Sequence, residues 1–196
     1  MRTRNNDKEQ LVRKSAIDML VKSGFDGFSM NKLAKECGIS VATLYIYYQD
    51  KDDLIQKIGL EIGQDFLACA FKDFSSDMPF AAGLRKQWEN RAQFSLDFPN
   101  EVAYYEMIRF SPHGEVILNE SMVTFKEVMS QFIQNAVGNR ELTPMSPEVF
   151  WSVAYGPLYT LLRFHSEGKG LSGRPFQFSN GLMQDAFNLV IKALTP

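Results

Sequence analysis

Apolar positions recur along this chain at helical spacing, and nearly all of it divides into helices separated by short breaks. Val12, Ala16, Met19 and Leu20 form one stripe on a helix of roughly residues 6 to 23, which Gly24 ends. Met30, Leu33 and Ala34 give a short helix one apolar face, with Ser29 placed to cap it. Gly38 breaks that helix, Ile39 can lock the turn, and Ser40 precedes a second short helix from Val41 to Tyr48. Asp50 is the next cap. Asp52 and Asp53 suit the positive end of the helix that follows, and Leu54, Ile58, Ile62, Phe66, Leu67, Phe71 and Phe74 carry it into the seventies.

The pattern continues through five more helices. One of roughly 79 to 97 carries Leu84, Trp88, Ala92 and Leu96, and another from Pro99 reaches Phe110. A long helix of about 115 to 137 carries Val116, Met122, Phe125, Val128, Met129, Phe132 and Ile133. A helix of about 147 to 166 is expected to kink at Gly156-Pro157, and the glycine-rich stretch 168–175 reads as a flexible loop. The last helix, about 177 to 194, bears Leu182, Met183, Ala186, Phe187, Leu189, Val190, Ile191 and Leu194. That stripe is wider than one helix needs for its own core. A second copy would use the surplus: the last two helices of two chains can form a four-helix bundle, with Phe187 and Val190 expected on the shared face.

Residues Phe28 to Leu54 have the layout of a helix-turn-helix, whose second helix lies in a DNA major groove. A helix–glycine–helix corner that binds nothing is the plain alternative. Thr43, Tyr45 and Tyr47 on a short helix, with Lys51 at the start of the next, favour the first reading. Hydroxyls and a lysine near helix N-termini are phosphate-positioning groups.

The stretch resembles the DNA-binding domain of the TetR family of bacterial regulators. The resemblance rests on Leu11, Ala16, Leu20, Gly24 and Phe25, then Ser29, Leu33, Ala34, Gly38, Ile39, Ser40, Thr43, Leu44, Tyr45, Tyr48, Lys51 and Leu54. Cys37 stands where alanine is common, Ala42 where glycine or a basic residue is frequent, and Tyr48 where phenylalanine is usual. The resemblance implies an all-α chain: a three-helix DNA-binding domain over 1–52, and a helical effector-binding and dimerisation domain over 53–196. It implies a homodimeric repressor on a palindromic double-stranded DNA operator. Ser29, Lys32, Ser40, Val41, Thr43, Tyr45, Tyr47 and Lys51 would meet DNA. Tyr45 and Lys51 would hold phosphates, while Ser40, Val41 and Thr43 would face bases. An unidentified small-molecule effector would bind in the second domain. Aromatic and methionine side chains there are its candidate lining: Trp88, Tyr104, Tyr105, Met107, Phe125, Met129, Trp151, Tyr155 and Tyr159.

Charge adds mild support. Up to Lys51 there are nine Lys and Arg against six acids, +3, and the remainder carries twelve against seventeen, −5. Arg2, Thr3 and Arg4 read as a basic arm that could touch DNA. Hydrophobic residues at 45% and aromatics at 13% provide for a buried core. The polar N-terminus is no secretory signal, and no apolar run is long enough to span a membrane. Cys37 and Cys69 lack ligand spacing and suit a reduced, cytoplasmic setting. The two histidines have no carboxylate or cysteine at metal spacing, and no nucleotide loop or nucleophile elbow is present. No metal, cofactor or catalysis is therefore expected. Two rival readings keep the fold and change the role: a DNA-bound interaction protein without an effector, and a small-molecule binder that has lost DNA binding.

Overall fold

The computed structural model describes residues 2–196, with the side chains of 7–115, 123 and 125–196. It contains, among these, ten helices and no strand beyond one isolated bridge, Lys169 to Pro175. They are α1 (Arg2–Gly27), α2 (Met30–Glu36), α3 (Val41–Tyr47), α4 (Lys51–Ala70), α5 (Phe80–Asp97), α6 (Pro99–Arg109), α7 (Gly114–Gly138), α8 (Pro147–Ala154), α9 (Gly156–Glu167) and α10 (Asn180–Leu194). The side chains of Arg2, Thr3 and Arg4, read as a basic arm, lie outside the described residues, as do those of Val116 and Met122.

Several ends have local causes. Gly24 interrupts α1 with φ of 65° and ψ of −177°, a conformation open to glycine alone. Gly38, at φ 63°, turns the chain between α2 and α3. The kink expected at Gly156-Pro157 is a full break at Tyr155, and Pro157 lies in the first turn of α9, where its missing N–H leaves no bond unmade. The last helix starts later than its apolar pattern suggests because Ser179 caps it, accepting from the Leu182 N–H at 3.3 Å.

Packing divides the chain into two units, Met1–Asp65 with Phe98–Val123, and Phe66–Asp97 with Thr124–Pro196. This is not the expected division at residue 52. The first unit keeps most of α4 and all of α6, because Tyr104 and Ile108 of α6 are buried with Ile17 and Leu20 of α1, Leu33 of α2, Leu44 of α3 and Ile55 and Ile58 of α4. The Tyr104 hydroxyl donates to the Ile55 carbonyl at 2.9 Å.

Aromatic rings fill the second unit. Phe132 stacks on Phe80 with centroids 5.8 Å apart and meets Phe74 edge-on at 5.1 Å. The Trp88 indole N–H donates to the Ala154 carbonyl at 2.7 Å, and its ring meets Phe187 edge-on at 5.3 Å. Phe187 and Val190, expected on a dimer face, are thus turned into the chain's own core, with 3% and 4% of their surface exposed. Leu189 is the large apolar residue of α10 with the most surface outside, at 71%.

Tyr104→Phe should lower unfolding free energy by about 1 kcal/mol, the net worth of a buried hydrogen bond. Urea denaturation checks this; unchanged stability would mean the hydroxyl is not engaged.

Candidate nucleic-acid interface

The α3 helix is built from its caps inward. Ser40 Oγ accepts from the Thr43 N–H at 3.1 Å and shares a hydrogen bond with Thr43 Oγ1 at 2.8 Å. Leu44 is fully buried and fixes the helix to the core. At the other end the Tyr47 carbonyl accepts from Lys57 Nζ at 3.1 Å, and Lys57 also pairs with Asp53 at 2.9 Å. Tyr48 closes the helix as a buried side chain whose phenol burial pushes up to about 12, so it stays neutral.

This construction sorts the residues expected at DNA. Tyr45 projects outward, half of its surface exposed. Ser40 is exposed, although its oxygen is engaged as the cap. Thr43 is half-buried and shares that cap bond. Val41 and Tyr47 pack against the core with part of their surface open. Ser29 caps α2, accepting from the Lys32 N–H at 3.3 Å. The Lys32 ammonium donates to the Gly27 carbonyl at 2.9 Å, and the Lys51 ammonium to the Phe25 carbonyl at 2.5 Å, 5.9 Å from the Phe28 ring centroid. Both lysines are therefore gathered on the last turn of α1, just before α2. An ammonium has three donors, so each keeps others for a phosphate.

Sequence reasoning missed Ile46. It is 76% exposed on α3, an unusual placing for isoleucine. The signal was available: Ile46 lies two residues from buried Leu44, about 200° around the helix. With Ala42 and Tyr45 it forms the outward face.

The candidate effector residues separate. Tyr104, Tyr105 and Met107 belong to the first unit, where Tyr104 is fully buried and the other two pack on that core. Trp88 is held by Ala154 and Phe187 in the second unit. Phe125, Trp151, Tyr155 and Tyr159 come together there: Trp151 lies 5.7 Å from Phe125, 4.7 Å from Tyr155 and 6.3 Å from Tyr159. Met129 is buried in the same unit. Gln87 and Arg91 of α5, both absent from the sequence reading, are fully buried, and Arg91 lies among these rings. They fall beside the apolar stripe of Leu84, Trp88 and Ala92, where a polar pair four residues apart was a visible exception.

Residues 7–58 match the family model for bacterial regulatory proteins of the tetR family. These residues form a TetR-family DNA-binding domain. A TetR-family transcription regulator from Marinobacter aquaeolei VT8 superposes with a TM-score of 0.85 at 24% identity, over 99% of this chain and 98% of that one. An uncharacterised helix-turn-helix regulator from Haemophilus influenzae is 29% identical over 99 residues, 50% of this chain and 53% of that protein, so the match spans about half of each. The regulator RutR of Escherichia coli O157:H7 is 20% identical over 194 residues, covering 96% and 91%. TetR-family proteins are DNA-binding transcriptional regulators and not enzymes. No helix among the described residues is long and apolar enough to cross a membrane, and no group of three metal-ligating side chains occurs among them.

Because Ile46 supports nothing inside the protein, Ile46→Ser should leave thermal stability unchanged. It should weaken specific DNA binding about tenfold by losing an apolar contact of the kind made with thymine methyls. Ser40→Ala should instead cost about 1 kcal/mol of stability through the lost cap. Thermal unfolding and fluorescence anisotropy separate the two. Equal effects on stability would contradict this assignment.

Proposed function

We propose that the protein is a homodimeric, ligand-responsive repressor that binds a palindromic operator in the cytoplasm. The observation that carries the DNA reading is the outward face of α3. Tyr45 and Ile46 are presented to solvent by a helix capped by Ser40 and anchored by Leu44. Tyr45, Lys32 and Lys51 supply phosphate contacts, and Ser29 sets the N-terminus of α2 beside them. Val41, Thr43, Ile46 and Tyr47 meet base edges, with groove shape adding discrimination because few of them form hydrogen bonds to bases.

The dimer reading is supported by α10. Leu189 and Leu182 are 71% and 40% exposed, and Val149 of α8 is 51% exposed. Large apolar side chains on neighbouring terminal helices suit an isologous contact with a second copy. Two copies bring two α3 helices to successive major grooves, roughly 34–36 Å apart. The effector acts from the second unit. It shifts the protein between DNA-binding and DNA-free states only by binding them with different affinity.

Light scattering at micromolar concentration should give the mass of two chains. Leu189→Glu should give one chain with unchanged helical content, and should lower affinity for the DNA upstream of the protein's own gene at least about a hundredfold, since each half-site alone is weak. A Leu189→Glu dimer that binds DNA as the parent does would refute the interface. Phe187→Glu is not a usable test, because Phe187 is core and the change would unfold the unit.

A further inference from the structure

Arg91 of α5 is a charge fully removed from water. Its Nε–H and one Nη2–H donate to Gln87 Oε1 at 3.1 and 3.0 Å, and one Nη1–H donates to the Tyr159 hydroxyl at 2.7 Å. A guanidinium has five N–H donors, and among the described residues two of these make no hydrogen bond of good geometry, the Tyr155 hydroxyl lying beside them. The guanidinium carbon lies 4.6 Å from the Tyr155 ring centroid, 5.2 Å from Phe66, and 5.6 Å from both Phe125 and Trp151. No carboxylate among the described residues forms an ion pair with it.

Ring faces and neutral oxygens do not restore the hydration that a buried ion gives up. Two further buried groups beside Arg91 point the same way. Among the described residues Gln87 Nε2 has no acceptor, and the Tyr155 hydroxyl has no hydrogen bond of good geometry. Burial pushes the Tyr155 phenol up to about 12, so it keeps its proton and remains a donor. The cluster thus offers donors and one positive charge, and apolar walls around them.

We infer that Arg91 anchors a site for a small monocarboxylic acid with an apolar body, its carboxylate on the guanidinium and its body among Phe66, Phe125, Trp151 and Tyr155. A planar carboxylate matches the remaining N–H groups in geometry and balances one charge. A phosphate dianion would bring a second charge that nothing in this cluster neutralises. Trp151 is 39% exposed, so the cluster reaches the surface of its unit. The inference rests on the ligand-responsive reading and gives the effector its chemical class.

The test is thermal unfolding of the full chain with octanoate and phenylacetate, against octanamide, phenylacetamide and inorganic phosphate, alongside release of upstream DNA. The acids should raise the melting temperature by several degrees and bind at least about tenfold tighter than the amides, since the charged hydrogen bond is the one the amides lack. Arg91→Met should abolish that preference while leaving DNA binding intact. Its own melting temperature without ligand should change by no more than a few degrees, because relief of a buried charge with no counter-ion among the described residues offsets the lost hydrogen bonds to Gln87 and Tyr159. Equal binding of acids and amides, no response to either acid, or an acid preference kept by Arg91→Met would each overturn the inference. So would Arg91→Met melting several degrees lower with no acid-specific effect, which is the behaviour of a purely structural arginine. Acid binding that depends on Arg91 but releases no DNA would support the site and remove only the repressor reading.

Discussion

A helix of seven residues has too few internal hydrogen bonds to stand in water, and α3 depends on its surroundings for its existence. Ser40 caps its first turn, Leu44 ties it to the core, and Lys57 of α4 meets its last carbonyl, that of Tyr47. Asp50 and Asp53 in turn hold the start of α4, accepting from the Asp53 and Gln49 N–H groups at 2.8 Å each. The side chains left open to solvent, and so to DNA in the proposed complex, are those this scaffold does not consume. That is why Ser40 and Thr43 are cap residues first, and why Tyr45 and Ile46 dominate the outward face. It also explains how lysines with a structural bond can still serve a phosphate. By closing on Phe25 and Gly27, Lys51 and Lys32 fix the last turn of α1 and hold their own charges in one place.

The second unit obeys a different constraint. Its interior is a set of interlocked rings, into which α5 inserts Arg91 and Gln87. Most buried cations are matched by an acid of the same chain. Among the described residues Arg91 is matched by two neutral oxygens and four ring faces, and the proposed carboxylate would complete that arrangement. Helix α4 carries Lys51 at its start and Phe66, one of those rings, near its end.

The sequence exposed its helices through apolar spacing, and the helix-turn-helix through Ser29, Gly38 and Ser40, whose roles as caps and turn follow from their chemistry alone. Packing between distant elements was less legible. Tyr104, Tyr105 and Met107 looked like ligand lining because they are aromatic or soft. Their unit was decided by contacts of α6 with α1 and α4, which no local pattern encodes. Phe187 and Leu189 are two residues apart on one broad stripe, and only the position of Trp88 shows which of them faces inward. Arg91 was hidden by the usual expectation that arginine lies at the surface. Its spacing from Trp88 was the clue, and the ring cluster that surrounds it comes from α4, α5, α7, α8 and α9.

Footprinting of the full chain on the DNA upstream of its own gene, read at more than one salt concentration, bears most directly on the claim that two copies of α3 read two half-sites. Two protected half-sites related by a twofold axis, with centres about 10 base pairs or a whole number of helical turns apart, are predicted, with affinity falling as salt rises. A single unpaired protected site, or protection no stronger than on random DNA at the same salt, would contradict it.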